Sequence, residues 1–462
     1  MPFVPHTDQD IQKMLDVIGV DSIDQLFDEI PSHLRAKVLD KVPNGLSEME
    51  MMRRLSERSQ QDAGALCFIG AGAYEHHIPA AVWDVATRGE FMTAYTPYQA
   101  EASQGTLQLI YEYQSMMCQL TGLDVSNASL YDGASGLAEA TLMAIRANRK
   151  SKSRKVLVAS SVHPLYQKTV TSIVTNQGIH LENLDLNAES LSVDSQALSA
   201  HEGQDYAALV IQQPNFYGSL EDVNVLTDWA HQHGMLVIAV VNPTALALLS
   251  PPSEWGTEGA DIAVGDGQPL GLPLASGGPY FGFICCKNKL VRQMPGRIIG
   301  RTVDLDGKEG FTLTLQAREQ HIRRSKATSN ICTNQGLAVT AATIYLTLVG
   351  YEGLSRVAQA CHENTSKLAE KINAIDNFKV LGSGLFFHEF VIEVPGTAEA
   401  VLAEMANNNV LGGIDLSSFD KGAPNRILAC VTEVKTERDI EAYVQSIVHA
   451  AQTHASPNKG AA

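Results

Sequence analysis

An alternation of short apolar segments with helical segments between residues 65 and 265 constrains the fold most strongly. Strands are predicted at 65–69, 127–131, 155–159, 207–212, 235–241 and 261–264. Helices are predicted between them at 103–120, 135–149, 165–175 and 223–233. Strands separated by helices are typical of a mostly parallel sheet covered on both faces. We therefore predict an α/β large domain with a doubly wound sheet.

A helical arm is predicted over residues 1–60, ahead of the large domain at 61–330. Thr7 and Ser47 each precede an amphipathic segment with acidic residues in its first turn, which predicts capped helices. The segment 22–30 predicts a further short helix. Such arms pack on their own domain or on a partner, and we interpret this one as an interaction arm.

A small α+β domain is predicted over residues 331–453. It begins with a long helix at 334–348 and contains strands at 386–394 and 426–431. The polar tail 454–462 is predicted to be disordered.

The net charge of −17 excludes two classes of partner. A field of this sign repels phosphate backbones and anionic lipid, so we expect neither nucleic-acid nor membrane binding. No apolar run is expected to reach the length of a bilayer span, and the first ten residues lack the basic charge of a signal peptide. These features predict a cytoplasmic protein.

The cysteines are predicted to be free, buried thiols. They lie at positions 67, 118, 285, 286, 332, 361 and 430. The spacing contains no C-x-x-C pair and no histidine at ligand distance, so it predicts no metal site. Cys285 and Cys286 fall in an apolar strand, where burial is the simplest interpretation.

The stretch 261–283 forms a strand, a polar turn, a glycine-rich corner and a second strand. It is similar to the place where pyridoxal-phosphate enzymes with a doubly wound sheet carry their Schiff-base lysine. The cofactor aldehyde needs a primary amine for this bond. Here the turn holds Asp266, Gln268 and Pro269 and has no lysine.

A second requirement of that scaffold is also missing. The segment QQPNFYG at 212–218, the helix after it and the next apolar strand follow the same order. In the scaffold, an aspartate at the end of this strand pairs with the pyridine nitrogen. The corresponding positions here are Val240, Val241 and Asn242, none of which carries a carboxylate.

Other parts of a degenerate cofactor site can still be assigned. The turn YDGASG at 131–136 joins a strand to a helix whose first N–H groups would suit a phosphate or carboxylate, although a plain tight turn has the same sequence. His163 follows a strand and either stacks on a planar ring or is an ordinary loop residue. The residues assigned to this site are Asp132, Gly133, Ser135, His163 and Asn215.

The loop AYTPYQAEASQG at 94–105 is unusually rich in hydrogen-bonding side chains. It leads into a helix that Ser103 is expected to cap. Folding alone does not call for this density of polar groups, so we predict that they line a pocket for a small polar substrate. The candidate residues are Tyr95, Tyr98, Gln99, Glu101 and Gln104.

Several arginines are concentrated at 296–304 and 313–332 in an otherwise acidic chain. They could hold a carboxylate or an acidic partner protein. A solvated helix face is the simpler interpretation.

Together these motifs resemble the P-protein family of the glycine cleavage system, in particular the N-terminal subunit of its two-subunit form. The resemblance extends over nearly the whole chain, with two departures, Pro269 where serine is expected and Asn242 where aspartate is expected. The motifs are YTPYQ-x-E-x-SQG at 95–105, N-A-S-x-YDGAS at 127–135, Q-x-PN-F-x-G at 212–218, GDGQ-x-LGLP at 265–273, GGP-x-FGF at 277–283 and LTLQAREQ-x-IRR at 313–324.

The resemblance implies a fold-type-I pyridoxal-phosphate architecture in which this chain binds no cofactor covalently. A homologous partner subunit would carry the lysine and pyridoxal phosphate, and the two subunits would share the active site. Glycine would lose its carboxylate as carbon dioxide, and its aminomethyl group would pass to the lipoyl arm of the H-protein.

Two other functions fit parts of the sequence. The chain could be a non-catalytic scaffold or regulatory subunit, or an autonomous pyridoxal enzyme that uses Lys287 or Lys326, both of which lie outside the expected turn. A nicotinamide-binding sheet is excluded, because no G-x-G-x-x-G follows the first strand.

Overall fold

The computed structural model describes residues 5–35, 41–61, 64–382 and 384–455. The chain divides into two compact units, Met1–Ala63 and Gly64–Ala462. Of the tail that was predicted to be disordered, residues 454–455 belong to the last helix, and residues 456–462 lie outside the described residues.

The first unit contains helices α1 (Asp8–Ile18) and α2 (Glu48–Ser59). Thr7 and Ser47 cap them as predicted, each in a reciprocal capping box with the acid three residues later. Gly19 ends α1 with φ at 85°, a conformation that glycine adopts without strain.

The helix predicted at 22–30 is wrong. The structure has only a 3₁₀ turn at Ile23–Phe27, and the Ser22 side chain makes no capping hydrogen bond. Few residues separate Ser22 from Pro31, too few for a stable α-helix. Large apolar side chains of this unit are exposed, among them Val17, Ile18, Phe27, Leu34, Val42, Met49, Met52 and Leu55.

The second unit is built from one large sheet, smaller sheets and their helices. Its strands are β1 (Leu66–Cys67), β2 (Val125–Ser126), β3 (Lys155–Ala159), β4 (His180–Leu184), β5 (Ala208–Gln213), β6 (Leu236–Val241), β7 (Ile262–Asp266), β8 (Gly282–Cys286), β9 (Ile298–Val303), β10 (Glu309–Thr314), β11 (Lys379–Leu381), β12 (Glu389–Glu393), β13 (Val410–Leu411), β14 (Ile414–Asp415) and β15 (Arg426–Cys430). Its helices are α3 (Ala80–Ala86), α4 (Gln104–Thr121), α5 (Gly133–Ala147), α6 (Pro164–Val174), α7 (Val223–Gln232), α8 (Gln320–Arg323), α9 (Gly336–Asn373), α10 (Ala398–Asn407) and α11 (Glu437–Ala455).

The large sheet has the strand order β2-β8-β7-β6-β5-β3-β4. Strands β3 to β7 are mutually parallel, and β8 is antiparallel to both of its neighbours. Successive residues of β5 enter different cores: Leu209 and Ile211 join one apolar cluster, and Val210 joins the other. Both faces of the sheet are therefore covered, as predicted for a doubly wound sheet.

Three details of the predicted sheet are wrong. Strand β1 pairs with β13 in a separate two-stranded sheet. The strand expected at 127–131 is reduced to β2 and a single bridge between Leu130 and Gly282. The edge strand β4 was missed because its sequence, HLENL, is half polar and only one of its residues is buried.

The C-terminal part contains the four-stranded sheet β11-β12-β15-β14, in which every pairing is antiparallel. Strands β9 and β10 form a separate antiparallel pair. The predicted division at 330/331 stays a prediction.

Helix α9 runs well past the expected end at residue 348. Gly350, with φ at 59°, interrupts the helical backbone inside it. Contrary to expectation, α9 is long and apolar enough to span a bilayer by length and composition. Its residues Val339, Ala342, Leu346 and Leu354 are instead buried in the main core, as in the central helix of a globular unit.

Candidate functional site

A small cavity lies at the carboxyl ends of β3, β5, β6 and β7, where doubly wound sheets collect ligands. Its volume is about 40 Å³. Pockets for cofactors and drug-sized ligands typically span about 300–1,000 Å³. The lining residues are Gly72, Tyr74, His163, Tyr166, Gln212, Pro214, Val240, Val241, Asn242, Gly265, Asp266, Pro269, His388 and Glu389.

The first turn of α5, which was predicted to suit a phosphate, is occupied by two carboxylates of the chain itself. The Gly133 amide donates to Asp266 Oδ2 at 3.0 Å, and the Ser135 amide donates to Asp132 Oδ1 at 2.8 Å. The Tyr166 hydroxyl also overlaps the position that a Cβ would take at Gly133. Protein groups therefore occupy the space that an anion would need, and they accept the N–H hydrogen bonds that it would use.

Asp266 is the most strongly perturbed acid of this turn. Its second oxygen accepts the Gln268 amide at 2.9 Å. Burial raises the pKa of Asp266 to about 7, against the effect of its two backbone hydrogen bonds, and the nearby Asp132 raises it further. A phosphate dianion placed here would lie against an acidic side chain whose ionised form it would repel.

His163 is buried and its hydrogen bonds fix its tautomer. Its Nδ1 accepts the Leu165 amide at 3.1 Å, so Nε2 carries the proton and donates to Ala71 O at 2.8 Å. Burial lowers the pKa of His163 and favours this neutral form. The ring stacks on Tyr166 with centroids 5.0 Å apart and leans against Phe216. The predicted stacking partner is thus the chain's own aromatic side chain.

Gln268, in the turn that lacks the lysine, is fully buried and fully hydrogen-bonded. Its Oε1 accepts the Tyr74 amide at 2.8 Å. Its Nε2 donates to Tyr74 O at 2.8 Å and to Leu272 O at 2.9 Å. Pro269 lines the cavity beside it. A neutral, fully bonded amide therefore lies next to the position where an amine would be expected.

The two candidate asparagines have different surroundings. Asn242 lines the cavity, where its oxygen accepts the amides of Thr244 and Ala245 and its Nδ2 lies 3.3 Å from His388 Nε2. Asn215 does not line the cavity. Its Nδ2 donates to Glu221 Oε1 at 2.7 Å within a buried network.

Five residues of the cavity were not predicted from the sequence: Gly72, Tyr74, Tyr166, His388 and Glu389. Glu389 accepts the Ala71 amide at 2.6 Å and the Tyr74 hydroxyl at 2.8 Å. Burial raises the pKa of Glu389 to about 7 and lowers the pKa of His388 well below its usual value. For His388 and Glu389, the only signal in the sequence was a His-Glu pair at the start of an otherwise apolar strand, and that signal is weak.

These side chains do not fit pyridoxal phosphate. None of the described residues that line the cavity is a lysine. The helix start that would receive the phosphate is bonded to Asp132 and Asp266, and the carboxylate for the pyridine nitrogen is replaced by Asn242. The cavity is also too small for the group.

The loop at 95–104 is held to the body of the second unit by Gln104. Its Nε2 donates to Phe311 O at 2.9 Å, and its Oε1 accepts the Phe311 amide at 2.9 Å. Ser103 precedes α4 but makes no side-chain capping bond, so the predicted cap is wrong. Gln104 thus uses both of its polar atoms to anchor the loop on β10.

The phenols of the loop differ in their contacts. Tyr95 is 86% exposed, and Tyr98 is half exposed. The Tyr98 hydroxyl accepts a hydrogen bond from the buried Arg297 at 3.3 Å, and its ring lies 5.3 Å from that of His321. Gln99 and Glu101 are exposed.

The arginine-rich segments divide into internal and exposed groups. Arg297 also donates to Cys332 O at 2.8 Å, and Arg318 donates to the backbone carbonyls of Met294 and Gly296. Arg323 and Arg324 are exposed. The buried arginines fix loops, and only the exposed ones are placed to meet a partner.

A second, larger cavity of about 580 Å³ begins at the start of α5. It includes Ser135, Glu139 and Arg146 together with residues of the segment 325–331. Ser135, which was assigned to the degenerate cofactor site, therefore faces this cavity rather than the small one.

Comparisons with known proteins agree over nearly the whole chain. The family model "Glycine cleavage system P-protein" matches residues 1–447. A curated relative from Alcanivorax borkumensis, named "Probable glycine dehydrogenase (decarboxylating) subunit 1", is 64% identical and covers 97% of this chain and 99% of its own. A relative of the same name from Thioalkalivibrio sulfidiphilus is 60% identical and covers 96% of this chain and 98% of its own.

A crystal structure of the glycine decarboxylase P-protein in inhibitor-bound form has the same fold. It superposes with a TM-score of 0.85 at 39% identity and covers 97% of this chain and 100% of its own. The predicted fold class, a mixed α/β fold with a largely parallel central sheet like that of fold-type-I pyridoxal enzymes, is confirmed. The chain is a member of the glycine cleavage system P-protein family.

Proposed function

We propose that this chain is subunit 1 of a two-subunit glycine dehydrogenase (decarboxylating) and that it acts together with a homologous subunit that carries the lysine and pyridoxal phosphate. The observations that carry the proposal are that Asp132 and Asp266 accept the amides of the first turn of α5, where a phosphate would bind, and that the amide of Gln268 lies beside the position expected for the lysine. The 64% identity to a protein named subunit 1 supports the same assignment.

The contribution of this chain to catalysis is assigned to the loop at 95–104. Glycine presents a small carboxylate, which phenol and carboxamide donors can orient without adding charge. Tyr95 and Tyr98 are exposed enough to reach a neighbouring subunit, and Gln104 holds the loop in place. Gln99, also exposed, is the further donor. In this arrangement the loop covers the partner's site and excludes water from it.

The remaining partners follow from this activity. The aminomethyl group left after decarboxylation is accepted by the lipoyl arm of the H-protein. The negative charge of the chain is consistent with a cytoplasmic complex that binds neither nucleic acid nor membrane.

The alternative of an autonomous pyridoxal enzyme is disfavoured by where its lysines lie. Lys287 donates to Gly259 O at 2.9 Å and pairs with the buried Asp261 at 3.2 Å. Lys326 is exposed on a short 3₁₀ turn and does not line the small cavity. The scaffold alternative is supported by the filled cavity but leaves the exposed Tyr95 and Tyr98 without a role.

Reconstitution separates these functions. The chain, the second subunit and the H-protein are assayed alone and in combination for exchange of labelled carbon dioxide into glycine. We expect activity only when both subunits are present, with each subunit alone at least about 100-fold slower, equivalent to roughly 2.7 kcal/mol of barrier. Full activity of the second subunit alone would support the scaffold, and activity of this chain alone would support an autonomous enzyme.

A further inference from the structure

Three side chains that play no part in the proposed function meet at one point in the second unit. They are His76 from the loop before α3, Cys361 from α9, and Glu433 from the loop before α11. Their donor atoms all lie within 4.8 Å of one another. Residues so far apart in sequence show no ligand spacing, which is why the sequence predicted no metal site.

The donors converge on a single carboxylate oxygen. His76 Nδ1 lies 2.8 Å from Glu433 Oε2, and the Cys361 thiol donates to the same oxygen at 3.2 Å. The side chains of His76 and Glu433 are 2% and 11% exposed, and Cys361 is fully buried. The site is therefore screened from bulk water, and Glu433 is its most exposed member.

The groups around the three donors hold them in place. The other oxygen of Glu433 accepts the His77 amide at 2.8 Å, which fixes the carboxylate. Lys435, the nearest cation on the same loop, is paired with Glu75 Oε2 at 2.5 Å, so its charge is compensated. Metal-ligating carboxylates are commonly held by hydrogen bonds of this kind.

One further atom of the cluster lacks a partner. His76 Nε2 is buried and has no hydrogen-bond partner in the described part of the chain. With Nδ1 facing Glu433, the imidazole is only half satisfied, whichever nitrogen carries the proton. Nε2 is the ring nitrogen that does not face Glu433, so the nitrogen available to an ion shared with Glu433 is Nδ1.

We propose that His76, Cys361 and Glu433 form a binding site for a divalent transition ion of the zinc class. A thiolate, an imidazole and a carboxylate suit Zn²⁺ or Co²⁺, whereas Ca²⁺ and Mg²⁺ require oxygen ligands. A tetrahedral Zn²⁺ with bonds of about 2.0–2.3 Å needs donors about 3.3–3.8 Å apart, so side-chain shifts of about 1 Å suffice. Three protein donors leave the fourth position for water.

Such an ion would clamp the loop at 74–77 to α9 and to the loop that contains Glu433. These loops are already joined by a hydrogen bond from Thr432 to Glu75 O at 2.6 Å. Tyr74, two residues before His76, is the residue that bonds Gln268 in the small cavity. The ion would thus hold Tyr74 in the position where it bonds Gln268, a structural role that does not depend on the subunit assignment.

The test is a metal titration of the untagged full chain after chelator treatment, under reducing conditions. We expect one equivalent of Co²⁺ to produce the near-ultraviolet absorption of a cobalt–thiolate bond, and one equivalent of Zn²⁺ to displace it. Saturating Zn²⁺ should raise the melting temperature by about 5 °C, as expected for an ion that binds only the folded state.

Variants distinguish this site from adventitious binding. Cys361→Ser should lose the thiolate band and weaken Zn²⁺ binding at least about 100-fold, and Glu433→Gln should weaken it with little change of shape. Cys430→Ser, another buried thiol of the second unit, is the matched control and should keep both. The proposal is overturned if the parental chain shows no thiolate band, or if Cys361→Ser and Glu433→Gln bind Zn²⁺ as the parental chain does. The parental titration alone decides the matter if a variant fails to fold.

Discussion

Gln268 and Tyr74, which lie 194 positions apart in the sequence, are joined by two hydrogen bonds that satisfy both backbone groups of Tyr74. Both residues are buried, and both bonds are 2.8 Å long. A side-chain amide can form this pair because it offers one acceptor and two donors. A lysine at this position could donate to Tyr74 O but could not accept from the Tyr74 amide.

The first prediction concerns the stability of this contact. Gln268→Ala should lower the free energy of unfolding by about 2–4 kcal/mol, because it leaves a buried amide and carbonyl without partners. Urea denaturation followed by circular dichroism measures the change.

Gln104→Ala is a matched control, since Gln104 bonds both backbone groups of Phe311 in the same way but is exposed. There water replaces the lost groups, and we expect a loss below about 1 kcal/mol. Equal losses in the two variants would show that burial does not set the strength of this contact.

The second prediction concerns pH. Burial raises the pKa of Glu389 from 4.5 to about 7, so between these values the folded state retains a proton that the unfolded state has released. The contribution of Glu389 to stability therefore falls as pH rises from about 5 to 7, by up to about 3 kcal/mol, and is constant above that. Glu389→Gln does not titrate, so its stability relative to the parental chain should improve across this window.

The measurement is the denaturation midpoint at several pH values between 5 and 8. Asp266, whose pKa burial also raises to about 7, is present in both proteins, so its effect cancels. The exposed Glu254→Gln variant serves as the control and should follow the parental curve. Parallel curves for Glu389→Gln and the parental chain would rule out a raised pKa for Glu389.

The third prediction concerns the exposed loop. Tyr95→Phe and Tyr98→Phe should each lower glycine decarboxylation by the assembled complex about tenfold to a hundredfold, the effect of losing one hydrogen bond worth roughly 1–3 kcal/mol. Complex formation and cofactor content should stay unchanged, as size-exclusion chromatography and absorbance can verify. Parental rates in both variants would assign the loop a purely structural role.

The sequence predicted the elements of the sheet well, because β3, β5, β6 and β7 are continuous apolar runs bounded by turns. The prediction failed where the pairing of a strand or the length of a helix depends on distant parts of the chain and not on the local sequence pattern. Strand β1 has a strand-like composition, but which strand it joins depends on β13, more than 300 residues away. The predicted helix ended at residue 348, just before Gly350, whereas packing continues α9 to Asn373.

The candidate site was only partly predictable for a similar reason. Gln268, Pro269, Asn242 and His163 follow strands of one sheet, so their meeting at its carboxyl edge could be expected. Tyr74 and Glu389 come from outside that pattern, and they supply the groups that close the cavity. The sequence indicated that the lysine was missing, and it could not show that protein groups had filled the space.

The central claim is that this chain completes the site of a cofactor-bearing partner and does not hold the cofactor itself. Locating pyridoxal phosphate in the active complex tests this claim most directly. Borohydride reduction fixes the cofactor to its lysine, and peptide mapping by mass spectrometry identifies the labelled residue. We predict that the label is found only on a lysine of the second subunit and that this chain, purified alone with added pyridoxal phosphate, stays colourless. A reduced pyridoxyl group on any lysine of this chain, Lys287 and Lys326 included, would contradict the account.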